Sequence, residues 1–184
     1  MIFLTLLRII GKDDSTLMQQ PQATPDFLSI IEANKRLIFK ICNAYCRNAI
    51  DREDLAQEII LQLWKSWASF NFSVKLSTWM YRIALNVAIS FFRKTEKTAN
   101  TLLMGDQLFE IADENFQEGL EENLTALQQF INELKPLDKA LMLLYLEEKS
   151  HQEIAEIIGI TSTNVATKVG RIKEQLRQKF SKIA

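Results

Sequence analysis

Apolar residues recur at helical spacing through most of the chain, and their periodicity predicts a series of amphipathic helices. The first is expected as one helix from Phe27 to Arg47, capped by Asp26, with Ile30, Ile31, Leu37, Ile38, Ile41 and Tyr45 turned to a core. The next, Glu53 to Trp67, places Leu55, Ala56, Ile59, Ile60, Leu63 and Trp67 on one broad stripe, an ordinary buried face. A third, Trp79 to Lys97, is apolar over most of its circumference, so it should be largely covered. Later come an apolar face on Leu124, Leu127, Phe130, Ile131 and Leu134, then a helix opened by Pro136 and running to about Glu147. Proline suits the first helical position because its missing N–H would be unpaired there anyway.

Two helical faces are not explained by core packing. Opposite the buried stripe of the Glu53–Trp67 helix lie Asp54, Gln57, Glu58 and Lys65, with Leu61 among them. An apolar residue ringed by carboxylates and amides suits a partner surface; it is equally a lone exposed leucine, which is common. The Trp79–Lys97 helix gathers Arg82, Asn86, Ser90, Arg93 and Lys97 into a narrow stripe that no acid interrupts. Such a line of donors fits a phosphate backbone and base edges, or it is a solvated helix edge. Between these helices the loop FNFSVKLST offers Asn71, Ser73, Lys75 and aromatic rings, a setting in which an unstacked base could rest on a ring.

Towards the C-terminus the signals become local and chemical. Ser150-His151-Gln152-Glu153 is a capping box, starting a short helix with Ile154, Ala155 and Ile158 inward. Gly159 supplies a turn, and Thr161 caps a longer helix whose buried side is Val165, Val169, Ile172 and Leu176. A short helix, a glycine turn and a long basic helix make a helix-turn-helix, which reads DNA in many proteins and serves as a plain structural pair in others.

Composition alters this picture in three ways. Glycine and proline number only 5 and 3 in 184 residues, and no strand-like alternation persists, so the fold class is all-α. The net charge of −1 conceals a segregation. Nine acids and one base lie between Glu96 and Glu133, whereas six bases face one acid, Glu174, from Ser162 onward. A basic recognition helix favours the DNA-reading sense, and the acidic, weakly periodic stretch at 98–122 reads as a flexible linker. Finally, Cys42 and Cys46 have no second pair and the one histidine, His151, is distant and expected at the solvent side. They are expected as buried structural thiols, with no metal site. No phosphate-binding glycine loop or nucleophile-base pair appears, so no catalytic residues and no cofactor are expected. Met1 to Ile10 is apolar but shorter than the ~20 residues that cross a bilayer, and it lacks the pattern of a signal peptide. A cytoplasmic protein without membrane insertion is expected.

The stretches EDLAQEIILQLW and STWMYRIALNVAISFFRK resemble the promoter-melting domain of bacterial sigma factors of the extracytoplasmic-function (ECF) group. LEEKSHQEIAEIIGITSTNVATKVGRIKEQLR resembles the sigma domain that reads the minus-thirty-five element. The resemblance implies two small helical domains: residues 25–97 for core polymerase and the minus-ten element, and residues 123–184, a helix-turn-helix domain, for the minus-thirty-five element. The linker at 98–122 would join them, behind an N-terminal extension at 1–24. It implies core polymerase contact through Asp54, Gln57, Glu58 and Leu61. Minus-ten contact would fall to Asn71, Ser73, Lys75, Arg82, Asn86, Ser90 and Arg93, and minus-thirty-five contact to Thr163, Asn164, Thr167, Lys168, Arg171 and Lys173. Ala166 and Gly170 depart from the family, which often carries lysine and a polar residue there. The implied partners are core RNA polymerase and promoter DNA, with no small-molecule substrate. An inhibitory anti-sigma partner, often membrane-bound, is common in the family, and nothing in this chain identifies its own. The competing reading is a stand-alone helix-turn-helix regulator whose N-terminal domain senses a ligand or dimerises.

Overall fold

A computed structural model of the chain describes residues 24–102, 127 and 129–181. All regular structure among them is helical: α1 (Thr24–Ala33), α2 (Lys35–Tyr45), α3 (Ala49–Trp67), α4 (Leu76–Leu102), α5 (Pro136–Leu146), α6 (His151–Ile158) and α7 (Ser162–Phe180). A short helical segment at 129–133 precedes α5. The proposed N-terminal extension and most of the acidic linker lie outside the described residues, although α4 carries the helix through the linker's first five positions to Leu102.

The single helix expected over Phe27–Arg47 is in fact two, broken at Asn34. There the Ile30 carbonyl accepts both the Asn34 backbone N–H at 3.1 Å and its side-chain amide at 2.8 Å, and the Leu37 N–H donates to the Asn34 carbonyl at 3.0 Å in a tighter turn. Asparagine competes for backbone partners in this way, and the periodicity of apolar residues does not register it. The helix also begins at Thr24, ahead of Asp26, which therefore lies inside α1 rather than at its cap. By contrast, α3 starts on an unforeseen cap: Asn48 accepts from the Asp51 N–H at 2.7 Å.

α2, α3 and α4 pack on one another around Leu37, Ile41, Leu55, Ile59, Leu63, Met80 and Leu85, all buried. The aromatic residues close one end of this layer. Trp79 stacks on Phe70 at 4.7 Å and meets Trp67 edge-on at 5.9 Å, and Phe27 lies edge-on to Trp64 at 5.1 Å. The C-terminal unit is built from α5, α6 and α7, with Leu141, Leu144, Ile154 and Val165 fully enclosed. Its local signals act as read. Ser150 and Glu153 form the reciprocal capping box, Gly159 adopts a left-handed φ of 80°, and Thr161 accepts from the Asn164 N–H at 3.2 Å. Ile154 is fully buried, Ala155 and Ile158 pack against the core half-buried, and Ile157 joins them as a buried residue. The two units are not held apart. α4 packs against α5 and α6, and α2 against α5, so one continuous apolar core runs through both.

Candidate nucleic-acid and partner interfaces

The α3 face behaves as a surface. Asp54, Gln57, Glu58 and Leu61 are all exposed, and Leu61 shows 47 % of its area to solvent. The helix buries Leu55, Ile59 and Leu63 on the opposite side, so the spacing that builds the core also presents this patch.

The α4 stripe divides. Asn86, Ser90 and Arg93 are exposed, but Arg82 is half-buried and donates from Nη2 to the backbone carbonyl of Glu156 in α6 at 2.8 Å. In the loop before α4, Asn71 accepts the Ser73 N–H at 3.1 Å, a local turn that fixes the loop's shape. Lys75 reaches the Glu153 carboxylate at 3.5 Å. That carboxyl is held below its ordinary range chiefly by hydrogen bonds from the Ser150 N–H and O–H, with Lys75 adding to the effect.

Phe72 is one of the aromatic residues of the FNFSVKLST loop, whose rings are expected to accept an unstacked base. It takes φ = 58° and leaves 72 % of its surface in solvent, with its ring 4.5 Å from that of Phe70. A bulky side chain in the left-handed region costs on the order of 1 kcal/mol, and an exposed one recovers little of that by burial. The only hint in the sequence was the alternation of aromatic and polar residues in FNFS; a φ value is not written in composition.

On α7, Thr163, Asn164, Thr167 and Arg171 are exposed on one side, and Thr167 Oγ1 donates back to the Thr163 carbonyl at 2.9 Å. Lys168 and Lys173 are half-buried and turn towards α5. Lys168 pairs with Asp138 at 3.5 Å, and Lys173 donates to the Tyr145 hydroxyl at 3.1 Å while lying 5.2 Å from the ring centre. The six residues thus split between an open edge and the seam of the unit. Gly170 is exposed, with nothing within 4 Å of the place a Cβ would take.

Burial pushes the Cys42 thiol up to about 12 and the Cys46 thiol up to about 11, each helped by neighbouring negative charge. Both are buried and unlinked.

Residues 30–98 match the family Sigma-70 region 2, and residues 124–176 match Sigma-70, region 4. The ECF RNA polymerase sigma factor SigW of Bacillus subtilis is 31 % identical, across 84 % of this chain and 88 % of its own. The chain belongs to the sigma-70 family, in its ECF group. A second relative, the RNA polymerase sigma factor SigV of the same organism, is 26 % identical over 90 % of this chain and 98 % of its own. The fold also matches the sigma factor RpoE of Bartonella quintana, solved with the anti-sigma factor NepR. The TM-score is 0.67 at 18 % identity, covering 85 % of this chain and 97 % of that one. As an ECF sigma factor the protein binds core RNA polymerase and directs transcription initiation at promoters, and the stand-alone regulator is disfavoured. Among the described residues no helix is long and apolar enough to cross a membrane.

Proposed function

We propose that this ECF sigma factor divides its work among three surfaces. The exposed α3 patch of Asp54, Gln57, Glu58 and Leu61 docks core polymerase. The loop and stripe of Asn71, Ser73, Lys75, Arg82, Asn86, Ser90 and Arg93, joined by Phe72, capture the minus-ten strand as it leaves the duplex. The exposed edge of α7 (Thr163, Asn164, Thr167, Arg171) reads the minus-thirty-five element, and Lys168 and Lys173 brace it from behind. The protein acts in the cytoplasm and performs no covalent chemistry.

One observation supports the reading most: the loop that leads into α4 and its acid-free line of donors carries an exposed aromatic ring. Every base has a π-face, so an exposed ring stabilises an unpaired strand without fixing its sequence, and neighbouring donors supply the discrimination. Unpairing costs a few kcal/mol, and favouring the single strand offsets it.

The reading is tested by asking whether the purified protein lets core polymerase start at a specific promoter. Leu61→Ala and Glu58→Lys, titrated against core polymerase, are expected to weaken binding, the leucine by ~2 kcal/mol if it is the central anchor. Unchanged affinity in both folded variants would remove the α3 patch from the interface.

A further inference from the structure

Most of the positive charge on α7 is engaged within the C-terminal unit. Lys168 faces the Asp138 carboxylate at 3.5 Å, and Lys173 donates to the Tyr145 hydroxyl. Arg177 reaches Glu174 at 3.4 Å, and Lys179 pairs with Glu133 while lying 5.4 Å from the Phe130 ring centre. Arg171 is exposed and has no such partner among the described residues.

The four engaged bases are not equivalent. Lys173 lies on the far side of α7 against α5, and Arg177 and Lys179 stand near the end of the helix in exposed pairs, which are weak. Lys168 comes four residues after Asn164 and three before Arg171, so it stands on the rim of the exposed edge. Its stem is long and flexible. From that rim the ammonium can meet either a DNA phosphate beside the groove or a carboxylate behind it. Asp138, in the first turn of α5, supplies the carboxylate. It is the less exposed of the two, at 26 % against 40 % for the lysine. The start of a helix favours an acid through the dipole alone; the contact with Lys168 is the additional observation.

We propose that Asp138 is a positioning residue for promoter reading: it withholds Lys168 from the phosphate backbone, leaving Arg171 and the neutral edge of α7 to hold the minus-thirty-five element. The effect falls on affinity and not on base preference, because a phosphate contact strengthens binding to any duplex and carries no sequence information. A released Lys168 would tighten the grip on every stretch of DNA, and a promoter competes with a large excess of such stretches. Withholding it keeps a greater share of recognition on Thr163, Asn164 and Thr167, which stay exposed. The inference rests on the sigma-factor reading and refines which charges of α7 reach DNA.

The test uses core polymerase assembled with the full chain, and a promoter duplex at which the native protein initiates. Promoter affinity is measured across a salt series. The slopes of native protein and Lys168→Gln should coincide, because the lysine makes no phosphate contact. Asp138→Asn frees it, so affinity should rise about two- to fivefold, the range open to a partly exposed ion pair, and the slope should steepen by about 1. Asp138→Glu keeps the charge and should stay near the native slope. In the Lys168→Gln background, Asp138→Asn should leave the slope unchanged, which separates release of the lysine from a general loss of negative charge near DNA. A native slope in folded Asp138→Asn overturns the proposal, as does equal steepening with Lys168 absent. A slope shallower by about 1 in Lys168→Gln overturns it independently, and this arm decides even if Asp138→Asn loses its native helical circular dichroism. If native protein and core polymerase together select no promoter, the sigma-factor reading itself fails and the inference falls with it.

Discussion

At the scale of single residues, backbone and burial set what each side chain can contribute. Gly170 lies in a helix with open space around it, so only the intrinsic helix penalty of glycine acts there. Gly170→Ala is expected to stabilise the protein by about 0.5–1 kcal/mol, readable as a raised urea midpoint with an unchanged m-value. Phe72 offers a sharper separation of folding from function. Asparagine tolerates the left-handed conformation better than phenylalanine, and the ring is largely exposed. Phe72→Asn should therefore leave stability within about 0.5 kcal/mol while impairing promoter opening; equal loss of both would make the ring structural. The thiols carry a pH dependence. Their pKa values rise from an ordinary 9.0 to about 12 at Cys42 and about 11 at Cys46, chiefly by burial, so the folded state holds these protons more tightly than the unfolded chain. Their stabilising contribution is whole below about pH 9 and is lost as pH rises through 11 to 12. Urea midpoints taken from pH 8 to 11 should fall, and less steeply in Cys42→Ala/Cys46→Ala.

Whole elements repeat the same division between a face that packs and a face left to solvent. α4 buries Met80, Ala84, Leu85 and Ala88, and this fixes the azimuth at which Asn86, Ser90 and Arg93 stand clear. Asn86→Ala and Asn71→Ala should slow opening of a closed promoter within the polymerase complex, as read by permanganate reactivity of bubble thymines. A template mismatched across the minus-ten element should partly rescue them, because unpairing has already been done; equal impairment on that template would count against the melting role. α7 shows the division within a list of like residues. Arg171→Ala should reduce the salt slope of promoter binding by about 1 if it contacts a phosphate. Lys173→Ala should act chiefly by loosening the seam with Tyr145, lowering stability as well as binding.

For the whole molecule, the decisive feature is the seam between the two units. A core that runs through both couples their stabilities, so a disturbance in one is felt in the other. Tyr45→Phe removes the hydroxyl that reaches Pro136 and leaves the ring in place. With a hydrogen bond worth about 1 kcal/mol lost, the urea midpoint of the whole chain should fall while both units still unfold in one transition. Separate transitions for the two units would mean that the seam does not couple them.

Periodicity and capping chemistry, both local properties, determined much of this protein by themselves. They were enough for the all-α class, the α3 and α4 faces, and the helix-turn-helix with its Ser150 box, Gly159 turn and Thr161 cap, because each follows from residues within a turn or two of one another. The family, too, was legible in two stretches of sequence. What sequence did not carry was whatever depends on a distant partner. The break at Asn34 interrupts an apolar periodicity that runs on unchanged through it, and Phe72's left-handed backbone leaves no mark on the spacing of the residues around it. Lys168 and Lys173 were equivalent to Arg171 as charges until α5 came to lie beside two of the three. Arg82 differs from Asn86 only because α6 arrives at one end of the stripe and not the other. Helical spacing fixes which side of a helix a residue occupies; only tertiary packing decides whether that side meets solvent, DNA or the rest of the chain.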